Sequence, residues 1–180
     1  MTGIIGTGVG RSSGLKAAAE AAGGGLVLQV VQMSIAQANG TTSIPHDGTV
    51  PTSSEGTEVG SQTITLASTD SRVQVLGCPT FADKTSVAQN SMIISVFRGT
   101  TCIGGQVYDG NTPGGTSGKA NSTSFNIIDS PSSTSELTYS VRMSILAGGT
   151  WYAGQSRHQN TEGDLGGILE DGVTLTELSS

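Results

Sequence analysis

The sequence predicts an all-β fold: an antiparallel β-sandwich, jelly-roll-like, with a short N-terminal arm. Charged residues make up only 12% of the 180 residues, about half the roughly 25% that is usual in soluble domains. Glycine is abundant, with 27 residues, and the many Ser and Thr residues suit short strands joined by turns. About nine apolar or alternating segments follow one another between turn residues, a spacing typical of sandwiches and jelly rolls.

The predicted strands begin at Leu26 and follow from apolar and alternating patterns. In the first strand, Val31 and Met33 lie on one face and Gln32 on the other. Segment 91–97 is apolar almost throughout, which predicts a strand in the middle of a sheet. The nine predicted strands are 26–35, 62–67, 72–77, 91–97, 102–108, 122–128, 137–146, 150–154 and 172–178.

The first 25 residues differ from the rest and predict an arm that becomes ordered only when it docks. The segment MTGIIGTGVGRSSG is rich in glycine, and residues 15–22 would form a helix too short to be stable alone in water. The same N-terminus lacks the basic start and apolar core of a signal peptide, which favours a protein retained in the cell that makes it. The predicted organisation is an arm at 1–25 and a β domain at 26–180.

Charge and composition argue against several partners. The net charge is −6, and the eight Lys and Arg residues are scattered singly, which disfavours nucleic acid and anionic membranes. No apolar stretch of about 18 residues could span a membrane. Cys78 and Cys102 have no CxxC spacing, so we expect reduced, buried thiols rather than a zinc site or a disulfide bond.

Several motifs resemble catalytic sequences without the context that the chemistry needs. The segment GRSSG fits G-x-S-x-G with Ser12 as the nucleophile, but the residues before it cannot supply the sheet that such an elbow requires. No Lys-Ser/Thr pair ends the stretch, and Arg11 replaces the third glycine of a dinucleotide loop. The two histidines, His46 and His158, are expected in turns or on the surface rather than as zinc ligands or triad members.

Acidic and aromatic residues give no catalytic prediction either. Trp151 and Tyr152 could stack on a sugar, although such a pair more often anchors a core or a subunit interface. No calcium loop of the form D-x-[DN]-x-[DN]-G is present. We therefore expect no enzyme, no cofactor and no metal site. Four aspartates lie in turn-like settings where Asp caps its own backbone, namely Asp109, Asp129, Asp164 and Asp171.

The segment IPHDGTVPTSSEGTEV (44–59) resembles a segment of many tailed-phage and prophage virion proteins. In those proteins an I-P-x-D-x-T-I/V-P run precedes a T/S-E-G step into the first strands of a small β domain. His46 stands at a variable position, and Gly48 stands where a second Asp is common. The end of the chain and the segments 26–32 and 127–143 are also similar, so the resemblance covers about residues 26–180. The matching residues are Ile44, Pro45, Asp47, Thr49, Pro51, Glu55 and Gly56.

The resemblance implies a sandwich or jelly-roll knob, usually a trimer on the outside of a virion, with no catalysis or cofactor. No coiled coil, collagen-like repeat or β-helix shaft precedes the knob. This favours a cement protein that decorates the capsid over a tail-fibre knob that recognises a host glycan. A TNF-like binding module and a glycan hydrolase are further alternatives. The arm residues expected to dock on the major capsid protein are Ile4, Ile5, Arg11, Leu15 and Lys16.

The same motif has a physical explanation as a stiff bracket. Pro45 and Pro51 fix φ, and each favours an extended conformation in the residue before it. Asp47 and Gly48 form a turn between the two prolines. The bracket would set the angle at which the chain enters the sandwich. Its predicted residues are Pro45, Asp47, Gly48, Pro51, Glu55 and Gly56.

Overall fold

The computed structural model describes residues 26–45, 47–85, 91–109, 120–122, 124–145, 149–154 and 172–180, and the regular elements in these ranges are all strands. Every paired strand is antiparallel, so the predicted all-β antiparallel fold is confirmed. The strands are β1 (Val27–Ser34), β2 (Ala38–Gly40), β3 (Thr57–Thr65), β4 (Arg72–Gly77), β5 (Thr80–Thr85), β6 (Ser91–Arg98), β7 (Thr101–Asp109), β8 (Ala120–Ser122), β9 (Phe125–Asp129), β10 (Glu136–Ile145), β11 (Gly149–Ala153) and β12 (Gly172–Leu178).

Eight strands form the two sheets of a jelly roll. Sheet I has the order β1-β12-β4-β9, and sheet II has the order β3-β10-β6-β7. The first and last strands of the chain are neighbours in sheet I, and the chain crosses repeatedly from one sheet to the other. This double Greek-key connection is the topology that defines a jelly roll. The predicted sandwich is therefore confirmed, including its jelly-roll topology.

The core lies between sheets I and II and follows from strand alternation. On β4, Val73 and Val75 are fully buried, and on β10 Val141 and Met143 face them from the other sheet. Strand β6 lies between β10 and β7, and residues 91–97 are buried throughout. The prediction that this segment is central is confirmed.

The remaining four strands form sheet III, with the order β2-β11-β5-β8. Each of them interrupts a connection that crosses between sheets I and II at the same end of the sandwich. We call this end the sheet III end, and the opposite end, where Leu26 and Ser179 lie, the terminal end. Strands β2, β5 and β8 were not predicted, because three-residue strands and the charged TFADKT segment have no apolar run and depend on tertiary pairing.

A single tryptophan fills the sheet III end. Trp151 is 0% exposed, and its Nε1 donates a hydrogen bond to Thr42 Oγ1 at 3.2 Å. Gly40 is its partner on β2, and a Cβ at that glycine would lie 2.7 Å from a carbon of the indole ring. The ring therefore packs directly against the backbone of β2. Trp151 and the buried Tyr152 belong to the core, as one of the two sequence interpretations proposed.

Two clusters of polar side chains close the terminal end. In the first, Glu177 is 1% exposed and points into the sandwich from β12. Its carboxylate accepts hydrogen bonds from Gln29 Nε2 at 2.6 Å and from Ala67 N at 2.8 Å. Burial by itself would raise the pKa of Glu177, but these hydrogen bonds outweigh it, and the pKa lies below its ordinary value. Glu177 therefore joins β1, β12 and the connection after β3 as a carboxylate.

The second cluster joins sheet I to sheet II through Asp129. Arg98 Nη1 lies 2.8 and 2.7 Å from the two carboxylate oxygens, and Tyr139 donates its hydroxyl to Asp129 Oδ2 at 2.7 Å. Burial and the bond to Asp129 raise the pKa of Tyr139, so its hydroxyl stays protonated and donates. The prediction that Asp129 caps its own turn is wrong, because the residue ends β9 directly opposite strands β6 and β10.

The expectation of two unpaired thiols is met, but the expectation that they are buried is wrong. Cys78 and Cys102 are unpaired, but Cys78 is exposed and Cys102 is half-buried. The reason for the exposure of Cys78 is its position just after β4, in the connection to β5. The thiol of Cys102 lies 3.6 Å from the carbonyl oxygen of Gly104 on β7.

Candidate assembly surface

The outer faces of the two main sheets differ, and the outer face of sheet II is covered along β6. Strand alternation on β6 sends Met92, Ile94 and Val96 into the core. The residues between them, which point outward, are nevertheless buried. Their exposed fractions are 6% for Ile93, 2% for Ser95 and 0% for Phe97.

The cover is residues 41–56, which we call the covering segment. Arg142, on the outer face of β10, donates from Nε to the carbonyl of Glu55 at 2.9 Å and from Nη2 to the carbonyl of Gly56 at 3.0 Å. Ile44 is 2% exposed, and the backbone N–H of Ile145 donates to Thr42 O at 3.1 Å. The covering segment is thus bonded to β10 near both of its ends.

Within the covering segment, the bracket residues form two local turns. Asp47 Oδ1 accepts from the N–H of Thr49 at 2.9 Å and from its hydroxyl at 2.6 Å, and these bonds lower the pKa of Asp47. Gly48 has φ +80°, a conformation that favours glycine. Glu55 Oε2 accepts from the N–H of Thr52 at 2.6 Å. These hydrogen bonds agree with a fixed backbone path for the covering segment. The effect of that path on the stability of the fold and of the assembly stays a prediction.

Other bracket residues occupy different environments. Pro45 is exposed and Pro51 is half-buried. Gly56 has φ +68°, and a Cβ there would lie 3.1 Å from Met143 O, so the chain passes very close to β10 at this point. His46 lies outside the described residues.

The outer face of sheet I carries exposed apolar side chains, and we call it the open face. Strand register aligns two rows across all four strands, β1-β12-β4-β9. Four of its apolar side chains are exposed by 60% for Val30, 49% for Ile128, 45% for Leu76 and 43% for Leu28. The first row is Val30, Thr176, Gln74 and Ile128, and the second row is Gln32, Thr174, Leu76 and Asn126.

The open face also lacks carboxylates. Neither row contains Asp or Glu, and the neighbouring charged residue in register is Arg72, paired with Leu178 at the terminal end. The chain as a whole carries a net charge of −6, so identical copies carry like net charge. Depletion of charge together with exposed apolar side chains is the pattern of an interface core. The open face is therefore the best candidate for an assembly surface.

Only one feature of the sequence indicates this surface, and it is weak. In the run LVLQVV (26–31), apolar residues occupy positions on both faces of the strand, whereas a strand with one solvated face alternates strictly. Residues Leu28 and Val30 are the outward members of that run. The outward apolar residues Leu76 and Ile128 stand singly in their strands, where sequence alone does not separate them from core residues.

Several predicted positions cannot be placed. The arm residues, Ser12, His158, Asp164 and Asp171 lie outside the described residues. In the described ranges no group of three or more His, Cys, Asp and Glu residues could hold a metal ion. The same part of the chain contains no helix that is long and apolar enough to cross a membrane.

Comparisons with known proteins give low similarities. No protein-family model and no curated protein matches the chain. A structure of infectious bursal disease virus, Gt strain, matches at 16% identity over 84% of this chain and 37% of that chain, with a TM-score of 0.39. The VP2 subviral particle of the same virus matches at 14% identity, also over 84% and 37%, with a TM-score of 0.37.

A bacterial structure matches about as well. Dimeric latent PorU from Porphyromonas gingivalis has 12% identity over 88% of this chain and 14% of that chain, with a TM-score of 0.37. The chain therefore spans 37% of the viral chains and 14% of PorU. Similarities of this size carry no argument about function, and the jelly-roll assignment rests on the strand order alone.

Proposed function

We propose that this chain is a virion structural protein that decorates and stabilises the exterior of a bacteriophage capsid as a homotrimer. The observation that carries the assembly part is the open face, with Val30, Leu76 and Ile128 exposed and no carboxylate in either row. The virion location is supported by the sequence resemblance at 44–59 and, as a fold-level analogy, by the jelly roll, a common capsid architecture.

The proposal assigns a structural and non-enzymatic role, without cofactor, metal or nucleic acid. The protein would be made in the host cytoplasm and bind the major capsid protein through its arm. Three arms on one trimer would bind the shell together, so avidity would exceed the affinity of a single arm. The number of three subunits comes from the family resemblance, and the open face supplies the apolar surface that assembly would bury.

The assembly part is tested by the molar mass in solution. We expect sedimentation equilibrium of the purified full chain to give a molar mass of about three times the 18.1 kDa chain mass. This is the mass of a trimer, which can close as a ring. The double variant Val30→Asp, Ile128→Asp adds two like charges per subunit to the open face, and its subunits should associate at least tenfold more weakly. Val50→Asp is the matched control, because Val50 is 71% exposed on the covering segment. If the control dissociates as readily as the double variant, the open face is not the interface.

The virion part is tested by copy number and location on particles. Many copies per particle, all on the head, are expected for a decoration protein when antibody-labelled virions are viewed by electron microscopy. A handful of copies at the tail would instead indicate the receptor-binding knob. Particles that lack the protein should release their genome at a lower temperature if the protein stabilises the shell.

A further inference from the structure

The covering segment is hydrogen-bonded to sheet II near its two ends. Near its start, the carbonyl of Thr42 accepts from the N–H of Ile145. Near its end, Arg142 donates to the carbonyls of Glu55 and Gly56. The side chain of Arg142 is only 16% exposed, so water competes little for these two bonds.

The middle of the covering segment is held less firmly. The hydrogen bonds described for residues 47–54 stay within the segment and form its two local turns, around Asp47 and Thr52. A space of about 460 Å³ lies between residues 49–51 and strands β6 and β7. This stretch therefore covers the sheet without hydrogen bonds to it in the described part of the chain, and it is not closely packed.

Two buried hydroxyls on the outer face of sheet II favour opening. Ser95 and Ser144 point outward from β6 and β10, because their neighbours Val96 and Met143 lie in the core. They are 2% and 0% exposed, and neither Oγ has a hydrogen-bond partner among the described residues. Water would bond to these hydroxyls if the cover moved away, so their burial raises the free energy of the closed state.

Apolar burial acts in the opposite direction. Ile93 and Phe97 point outward from β6 and are 6% and 0% exposed, and their removal from water stabilises the closed state. The two bonds of Arg142 add to this stabilisation. The closed and open states thus differ by a few contacts that nearly offset each other, which is the condition for local opening.

We propose that the covering segment is an autoinhibitory cover that opens locally and exposes a second apolar face on sheet II. Arg142 holds it closed where the segment meets β3. In the closed state only the open face is available to other copies of the chain. In the open state Ile93 and Phe97 form an apolar surface on which a second copy packs. The opening is independent of the proposed function, whereas the control of assembly extends it.

Thiol labelling at two neighbouring positions of β6 tests the opening. In a chain with Cys78→Ser and Cys102→Ser, one cysteine is introduced either beneath the cover, by Ile93→Cys, or in the core, by Val96→Cys. A thiol reagent should label Ile93→Cys at least about tenfold faster than Val96→Cys. The Ile93→Cys rate should change little with urea below the unfolding transition, because local opening exposes little surface. Equal rates with equal urea dependence would overturn the proposal.

A core substitution separates local from global opening. Val75 is 0% exposed, and its core contacts are kept when only the cover opens. Val75→Ala should therefore accelerate labelling of Val96→Cys at least about tenfold and that of Ile93→Cys less than about twofold. Acceleration of both positions by the same factor would mean that only global unfolding exposes Ile93, and the proposal would fail.

The role of Arg142 is tested with a matched pair of variants. Arg142→Ala removes both bonds to the covering segment and should accelerate labelling of Ile93→Cys at least about tenfold. Glu58 lies 3.6 Å from Arg142 Nη1, and its side chain is 48% exposed. Glu58→Gln removes this ion pair alone and should change the rate less than about twofold. An equal effect of the two variants would contradict the assigned role of Arg142.

Sedimentation tests the control of assembly separately from the proposed function. The Val30→Asp, Ile128→Asp chain carries added charge on the open face, so its copies should associate weakly while the cover is closed. Adding Arg142→Ala should raise the molar mass as the protein concentration increases, whereas adding Glu58→Gln should not. If Arg142→Ala accelerates labelling but leaves the molar mass unchanged, the cover is not autoinhibitory. A wild-type chain that proves monomeric contradicts only the trimer, because these comparisons do not use the open face.

Discussion

The two ends of the jelly roll are closed in different ways. At the sheet III end, four connections pair with one another through backbone hydrogen bonds, and the buried ring of Trp151 fills the space beneath. At the terminal end, the side chains of Glu177 and Asp129 bond to residues outside their own sheet, Glu177 to the connection after β3 and Asp129 to β10 of sheet II. Backbone hydrogen bonds between strands form with many different side chains. A side-chain hydrogen bond is lost when the one donor or acceptor atom is removed.

The difference also concerns charge. At the terminal end the hydrogen bonds are accepted by carboxylates, whose charge depends on pH. The described side-chain contact at the sheet III end joins an indole and a hydroxyl, which carry no charge. We therefore expect the contribution of the sheet III end to the free energy of unfolding to depend on buried side-chain volume. The contribution of the terminal end should depend on the charge of its carboxylates. Three substitutions test this contrast.

The largest expected effect is at the sheet III end. Trp151→Ala removes a fully buried ring and should lower the free energy of unfolding by about 3–5 kcal/mol, a large share of the roughly 5–15 kcal/mol of a typical domain. Urea unfolding followed by circular dichroism measures the loss. Trp151→Phe is the control and should cost much less, because it keeps most of the apolar volume. A loss below about 1 kcal/mol for Trp151→Ala would mean that pairing alone closes this end.

A smaller effect is expected at the tie between the two sheets. Asp129→Ala leaves the Arg98 guanidinium and the buried Tyr139 hydroxyl without their partner, and should cost about 3 kcal/mol, the low end of the range because Arg98 is partly exposed. Tyr139→Phe removes one hydrogen bond and should cost about 1 kcal/mol. The double variant should lose less than the sum of the two. Full additivity in urea unfolding would show that the two side chains do not act together.

Sequence patterns predicted the sandwich well because apolar residues recur at every second position in strands that bury one face. The segment at 72–77 coincides with β4, and 172–178 coincides with β12. In sheet III only β11 was predicted, at 150–154, since β2 and β8 have three residues each and no apolar pattern. Their conformation is set by the neighbouring connections, which lie far away in sequence.

The candidate surfaces were harder to predict, for reasons of tertiary structure. Whether Val30 is exposed depends on whether another segment covers its face, and the sequence does not tell which outer face the covering segment occupies. Asp129 shows the same limit, because the sequence DSP is typical of a turn and the contact with Tyr139 depends on the packing of β9 against β10. Asp129 and Tyr139 both lie in segment 127–143, which resembles the phage virion proteins. The resemblance gives no physical reason for a contact between the two residues.

The smallest of the three effects, and the one that depends on pH, concerns Glu177. Glu177→Gln keeps the shape of the side chain but replaces one carboxylate oxygen by an NH2 group, so the side chain can no longer accept from both Gln29 and Ala67. At pH 7 the expected loss is about 1–2 kcal/mol. The pKa of Glu177 lies below its ordinary value of 4.5 in the folded chain, so the stabilisation is present above that value and decreases as the pH falls through the folded pKa.

The difference in unfolding free energy between the wild type and Glu177→Gln should therefore shrink on acidification from pH 7 to about pH 3. The Trp151→Ala difference is the matched control, because neither tryptophan nor alanine titrates, and it should stay constant over the same range. Urea unfolding at several pH values measures both differences. Equal pH dependence of the two would mean that acid loosens the whole sandwich rather than the terminal end, and the contrast between the ends would then be one of packing alone.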